Sequence, residues 1–280
     1  MSFHFTSARG TRVPALIYGT AWKKGATARL VAAAVGLGFR GVDTACQPKH
    51  YDEPGVGAGV ASCLDQGLLR EELYLQTKFT PLAGQDPRSV PYDPKASLAA
   101  QVQQSCRVSL ANLRTAYLDG LLLHSPISPL ARMLEAWREM EALVDGGKVK
   151  ELGISNCYEP SVLDALWHAA RVKPSLVQNR FYAKTGFDRQ VRAFCSQKGM
   201  IYQSFWTLTA NPQLLAHPRL LAVAARHAAT PAQTLFRCLT QIGIAPLTGT
   251  SSEAHMREDL ASFDFELSAP ERTELAQLFA

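Results

Sequence analysis

The sequence holds no Cys-x-x-Cys pair among Cys46, Cys63, Cys106, Cys157, Cys195 and Cys238, so the usual zinc and thioredoxin-type spacings are absent and no metal site is expected. It also lacks a basic run. The net charge is +5, but Lys and Arg are scattered, so nucleic acid is not an expected partner. A modest positive field of this kind still favours the approach of an anionic ligand. No apolar stretch approaches the ~20 residues that cross a bilayer. The opening Met-Ser-Phe-His-Phe shows neither the charged nor the apolar region of a signal peptide. Free thiols in a reducing cytoplasm, with no membrane partner, are therefore expected. Repeats, low-complexity segments and linkers are missing as well, so residues 1–280 read as one domain. What is present is material for a large core: 47% of residues are hydrophobic, in a length ordinary for a (β/α)8 barrel of about 250 residues.

Short apolar runs alternate with helical patterns. The strand-like runs are Phe39 to Asp43, Leu73 to Lys78, Tyr117 to His124, Val149 to Ser155, Ser175 to Gln178, Met200 to Ser204 and Ile242 to Leu247. Each is bounded by turn residues or charges, as buried parallel strands tend to be. Between them, Lys95 to Leu113 repeats apolar residues every three or four positions (Leu98, Val102, Cys106, Leu110, Leu113), which makes one buried helical stripe. Pro160 to Ala170 places Val162, Leu163, Leu166 and Trp167 on one face, and Glu135 to Val144 stops at Asp145-Gly146-Gly147. The alternation predicts an α/β fold, either a closed TIM barrel or a doubly wound open sheet. The residues up to about Val13 read as a hairpin able to close a barrel floor.

Polar residues terminate successive strands: Asp43, Lys78, His124, Ser155 with Asn156, and Gln178. In a TIM barrel the C-terminal strand ends share one mouth, where catalytic residues gather. Singly, each has a bland explanation, such as a helix cap for Asp43 or Asn156; together they predict a site. A lysine in a partly dry mouth needs a counter-ion, which Asp43 supplies. A tyrosine beside that ammonium is expected to have a lowered pKa and to act as an acid, and His124 to orient a substrate oxygen. Such a set suits carbonyl reduction. It equally suits an acid–base isomerase, and composition and spacing do not choose between them.

The sequence resembles the aldo-keto reductase superfamily in several ordered blocks. Gly38-Phe39-Arg40-Gly41-Val42-Asp43-Thr44-Ala45 is similar to its Gly-Phe-Arg-x-x-Asp-Thr-Ala signature. Leu118 to Pro126 resembles the strand with its histidine. Gly153-Ile154-Ser155-Asn156, Val177-Gln178-Asn179, Thr230-Pro231-Ala232-Gln233 and Phe263-Asp264-Phe265-Glu266-Leu267-Ser268 resemble further family blocks. The match runs over nearly the whole chain. It implies a (β/α)8 barrel and a catalytic set of Asp43, Tyr51, Lys78 and His124. The family places its tyrosine five positions after the aspartate, where this chain has Pro48. Tyr51 follows a longer loop and precedes Asp52-Glu53-Pro54-Gly55-Val56-Gly57, which resembles the segment after the family's tyrosine.

The resemblance also implies NADP(H) as cofactor. Gly55-Val56-Gly57-Ala58-Gly59 lacks the third glycine of a Rossmann fingerprint and follows no strand. By resemblance, Ser155, Asn156 and Gln178 hold the nicotinamide carboxamide. Phe205 is the aromatic expected to stack on the ring, with Tyr202 and Trp206 as the next candidates, and Gly19 and Thr20 approach the same half. At the adenine end the family's lysine is replaced by Gly249 and its arginine by His255. Thr250, Ser251, His255, Arg257 and Asp259 remain there, with a helix N-terminus near Ser252, so use of NAD(H) as well is expected.

The implied activity is reduction of aldehydes or ketones, with Trp22, Tyr51 and His124 facing a small carbonyl substrate and the protein a monomer or weak homodimer. The segment Phe79 to Pro94 is expected to be a functional or mobile loop. The chain stops soon after its last family block, at Ala280, and either a more open, less selective site or one that borrows walls from a second chain is expected from that. The alternatives are a nicotinamide-binding regulatory protein resembling channel β-subunits, and a barrel aldolase using Lys78 as a Schiff base.

Overall fold

The computed structural model describes residues 3–279. Met1, Ser2 and Ala280, which the single-domain expectation included, lie outside the described residues.

Eight parallel strands close into a barrel. In chain order they are β3 (Ile17–Gly19), β4 (Gly41–Asp43), β5 (Tyr74–Phe79), β6 (Leu118–Leu123), β7 (Val149–Ser155), β8 (Leu176–Arg180), β9 (Ile201–Phe205) and β10 (Ile244–Thr248), which pairs back onto β3. Preceding them, β1 (His4–Thr6) and β2 (Arg12–Pro14) form an antiparallel hairpin. The closed topology decides against the open sheet. The strands fall where their apolar runs predict, with ends displaced by one or two residues.

Helices cover the barrel's outside. They are α1 (Thr27–Leu37), α2 (Glu53–Asp65), α3 (Leu98–Asn112), α4 (Leu130–Asp145), α5 (Pro160–Ala169) and α6 (Arg189–Lys198), then α7 (Pro212–Leu215), α8 (Pro218–Arg226), α9 (Pro231–Gln241), α10 (Glu253–Ala261) and α11 (Ala269–Ala276). The α4 helix starts five residues before the expected Glu135, because Leu130 to Leu134 continues its apolar stripe and buries Met133. In α5 the predicted face holds, with Leu163 and Leu166 fully buried.

The barrel interior changes character along its axis. At the N-terminal end an apolar cluster joins Ile17, Tyr74, Leu122, Leu176, Ile201, Ala245 and Leu247 with Val13 and Phe5 of the hairpin. The hairpin thus closes the floor. Its Ser7 hydroxyl donates to buried Glu151 at 2.7 Å, tying the plug to β7. Toward the C-terminal end the interior becomes polar, with Asp43, Gln76, Lys78, Gln178 and Gln203 all buried. The segment after β5, expected to be functional or mobile, makes hydrogen bonds to the strand ends beside it. Tyr92 donates its hydroxyl proton to the Thr80 carbonyl at 2.7 Å, and the Gln85 amide reaches the Cys46 and Thr80 carbonyls.

Candidate active site

Strand β4 ends at Asp43 and β5 carries Lys78, and register brings the two side chains together inside the barrel. The Lys78 ammonium donates to both Asp43 oxygens at 2.7 Å and to the Thr44 carbonyl at 2.8 Å. Both residues are buried. Two amides complete the carboxylate's partners: Gln76 and Gln178 donate to Asp43 Oδ1 at 2.7 and 2.8 Å. Both also donate to Gln203 Oε1, and the Gln203 amide returns a bond to Gln76 at 3.0 Å. Three glutamines and one ion pair therefore form a single connected layer, with its charge balanced internally.

Tyr51 stands above this layer. The longer loop preceding it folds into a tight turn in which the Gln47 carbonyl accepts the N–H groups of His50 and Tyr51, each at 3.1 Å. The Gln47 side chain is tied to the Gly84 carbonyl. Immediately after Tyr51, Asp52 caps α2 by accepting from Gly55 N–H at 3.0 Å. Buried Glu53 accepts from Thr77, Ser109 and Asn112, which pins the start of α2 to β5 and α3. Gly57 lets α2 approach α3, since a Cβ there would overlap the Asn112 carbonyl. The extra residues are absorbed in the turn, and Tyr51 lies with the Lys78 ammonium 5.3 Å from its ring centre.

The ring of His124 is 6.0 Å from that of Tyr51. Its Nδ1 is 2.6 Å from the Thr80 hydroxyl. Burial and the nearby Lys78 charge lower the imidazole pKa to about 3, so the ring is neutral at ordinary pH. Tyr51 departs from its expectation. Its pKa is raised, first by burial and then by the Asp43 carboxylate. The expected lowering rested on the Lys78 charge alone and left out the cost of burying the phenol and the repulsion from Asp43. In the folded protein the ammonium protons go to Asp43 and Thr44, and desolvation of the phenol dominates.

These groups open into a cleft of about 900 Å³ across the barrel mouth. Of the sequence-predicted residues, Gly19, Trp22, Asp43, Tyr51, His124, Ser155, Asn156, Gln178, Phe205, Trp206, Thr250, His255 and Asp259 line it. Lys78 lies beneath. Thr20 is buried, its hydroxyl bonded to the Asp43 carbonyl at 2.9 Å, and neither it nor Ser251 is part of the lining. Arg257 is turned toward Glu253. Ser155 donates to the Gln178 carbonyl at 2.7 Å, and the Asn156 amide to the His124 carbonyl at 2.9 Å. Gln178 spends its NH₂ on Asp43 and Gln203, which leaves its oxygen as an acceptor. Trp22 stacks against His50 with ring centres 4.1 Å apart. Trp22, Asn156 and Trp206 all have positive φ, the kind of backbone strain that collects at functional sites.

At the far end of the cleft, Asp259 accepts from the Thr248 hydroxyl at 2.6 Å, and burial lifts its pKa to about 6. Ser252 caps α10. Lys23 reaches the Gly249 carbonyl, so a cation lies beside the glycine that stands in place of the family's lysine. Lys23, Arg180 and His255 line the cleft together with Glu258 and Asp259, while the Asp43 charge is neutralised by Lys78. Lys23 and Arg180 offer contacts to an anionic group of an extended ligand, and the free Gln178 oxygen offers one to an amide. Sequence reasoning missed Gln76, Thr80, Arg180, Gln203 and Lys23. Gln76 and Arg180 were within reach, each being two residues from a chosen residue on the same strand face.

The Aldo/keto reductase family profile matches residues 15–279. An uncharacterised oxidoreductase, YtbE, of Bacillus subtilis is 30% identical over 239 residues, 85% of this chain and 78% of that protein. A glyoxal reductase of the same organism is 30% identical over 238 residues, again 85% and 78%. Among solved structures, an aldo/keto reductase from Brucella melitensis superposes with a TM-score of 0.84 at 25% identity, covering 99% of this chain and all of that one. With a profile match along almost the full barrel and relatives at this identity, the chain belongs to the aldo/keto reductase family.

Proposed function

We propose that this protein reduces aldehydes or ketones to alcohols with a nicotinamide cofactor, NADP(H) foremost and NAD(H) as well. Tyr51 is then the proton donor, and the protein works as a monomer or weak homodimer on a small carbonyl compound. The observation that carries the reading is the buried Asp43–Lys78 pair beneath Tyr51 and beside His124 at the floor of one cleft.

The bound reduced nicotinamide supplies the hydride that the carbonyl carbon receives. The protein manages the oxygen. Tyr51 keeps its proton at working pH because burial and Asp43 raise its pKa. As negative charge develops on the carbonyl oxygen, Tyr51 passes its proton to that oxygen, and the ammonium 5.3 Å from its ring favours the phenolate left behind. His124, held neutral, uses Nε2 to orient the substrate oxygen while Thr80 fixes Nδ1. The free oxygen of Gln178 accepts from the carboxamide, and Phe205 supplies a face for the ring. Trp22 forms the outer wall.

The test is NADPH consumption with an aromatic aldehyde, wild type beside Tyr51→Phe. A loss of at least about a hundredfold in kcat with NADPH binding retained is expected, in line with typical general-acid contributions. Equal rates would remove Tyr51 from the role. Tight NADPH binding without turnover of any aldehyde or ketone would favour the regulatory-protein reading.

A further inference from the structure

Arg180 ends β8 two residues beyond Gln178, so both side chains leave the same face of the strand, into the mouth. Arg180 stands about 7 Å further out than Gln178 at strand spacing, and it lines the cleft. Its guanidinium lies 4.1 Å from the Trp206 ring centre, 5.4 Å from that of Tyr182 and 6.0 Å from that of Phe205.

What it lacks is an acceptor. Arg70, Arg171 and Arg237 each meet a carboxylate. Among the described residues no carboxylate pairs with Arg180 and no protein oxygen accepts from its guanidinium, and its Nε is buried without a partner. Asp188, an acid held by the neighbouring Asn179, is engaged by Asn179 and Tyr202 at 2.7 and 2.9 Å. The three rings offer cation–π attraction but satisfy no N–H. A permanently charged planar fork, walled by aromatic rings and open to a cleft, is suited to two oxygens of one oxyanion.

We propose that Arg180 is an anion-binding residue of the cleft and takes phosphate or carboxylate oxygens of a bound ligand. The phosphate source is the dinucleotide. The carboxylate source is a carbonyl substrate bearing an acid group, and only that arm rests on the reductase reading.

The experiment compares wild type with Arg180→Met and Arg180→Gln, the second serving if the first does not fold. Calorimetric titrations with NADPH and NADH, and with benzoate on the NADP+-saturated protein, give the binding constants. Steady-state rates with 4-carboxybenzaldehyde and benzaldehyde follow. If phosphate is the ligand, both dinucleotides bind at least about tenfold more weakly, equivalent to about 1.4 kcal/mol, and the preference between the two aldehydes is unchanged. If carboxylate is the ligand, dinucleotide affinity holds. Benzoate binding and kcat/KM for 4-carboxybenzaldehyde then fall by at least about that factor, and benzaldehyde is unaffected. Folded variants that bind all three probes within about twofold of wild type would overturn the proposal. Because the titrations need no turnover, a protein that reduces no aldehyde would sink the reductase reading separately.

Discussion

Removing Lys78 tests how the polar layer holds its charge. In Lys78→Met the stem is kept and the ammonium lost, leaving the Asp43 carboxylate buried. Breaking a buried ion pair at one partner costs about 3–5 kcal/mol. Here the Gln76 and Gln178 amides still donate to Oδ1, so the lower end, about 3 kcal/mol, is expected. Asp43→Asn leaves the ammonium with the Thr44 carbonyl and an amide oxygen in place of a carboxylate. Burial already lowers the Lys78 pKa, with Asp43 opposing that effect. Losing the carboxylate favours the neutral amine further, and a cost nearer about 5 kcal/mol is expected. The double variant carries no buried charge at this point, so its cost should fall well below the sum, with a coupling of about 2 kcal/mol or more. Urea unfolding followed by tryptophan fluorescence measures all four proteins, with the slope against urea checked for constancy. Against a total stability of about 5–15 kcal/mol these differences are easily resolved. Additive costs, or a Lys78→Met protein as stable as wild type, would refute the claim that the pair is desolvated and mutually dependent.

Asp259→Asn should stabilise the protein above pH 6. The folded pKa is raised from 3.8 to about 6, so the native state holds a proton that the unfolded state releases, and stability is lost as pH rises through that window. Thermal melts at pH 8 should show the variant ahead by up to about 3 kcal/mol, and identical pH profiles would contradict this. His255→Arg should tighten NADPH over NADH by about tenfold, since a permanently charged bidentate donor replaces an imidazole at the adenine end, read as the ratio of the two dissociation constants. Gly57→Ala should cost about 1–3 kcal/mol by forcing α2 away from the Asn112 carbonyl, seen as a lowered melting temperature.

The strands and the line of polar terminators were legible because both depend on local pattern. A buried parallel strand must be apolar along its length, and a barrel gathers every strand's C-terminal end at one mouth. Asp43, His124, Asn156 and Gln178 meet in space for that reason. What depends on three-dimensional charge balance was not legible. Lys78 looked like a cation in the mouth, but it lies under it with its protons on Asp43 and Thr44, and at Tyr51 burial and the Asp43 carboxylate raise the pKa instead. Thr80 belongs to the loop after β5 and meets His124 because β5 and β6 pair with Phe79 opposite Leu123, a register the sequence alone does not show. The hydrogen bonds that Gln85 and Tyr92 make from the loop between Phe79 and Pro94 were not legible, because they are single side chains inside a proline-rich stretch.

The period of two carried more information than was drawn from it. Gln76 precedes Lys78 by two positions, and Arg180 follows Gln178 by two. On a barrel strand, a residue two positions from an inward polar group is itself inward, one level up or down the axis. Applied to β5 and β8, this rule places Gln76 below the ammonium and Arg180 above the amide. Both placements have consequences for charge. A glutamine below the pair gives Asp43 a neutral donor that cannot titrate, so the carboxylate stays satisfied without drawing a second cation into the floor. An arginine above the amide adds a cation where only a ligand can answer it. The barrel therefore runs from an apolar plug, through a self-neutralised layer, to a rim that carries Lys23 and Arg180 along with Glu258 and Asp259. Under the proposed function, a ligand meets the Arg180 guanidinium before it reaches the reacting groups, where burial and Asp43 hold the proton on Tyr51.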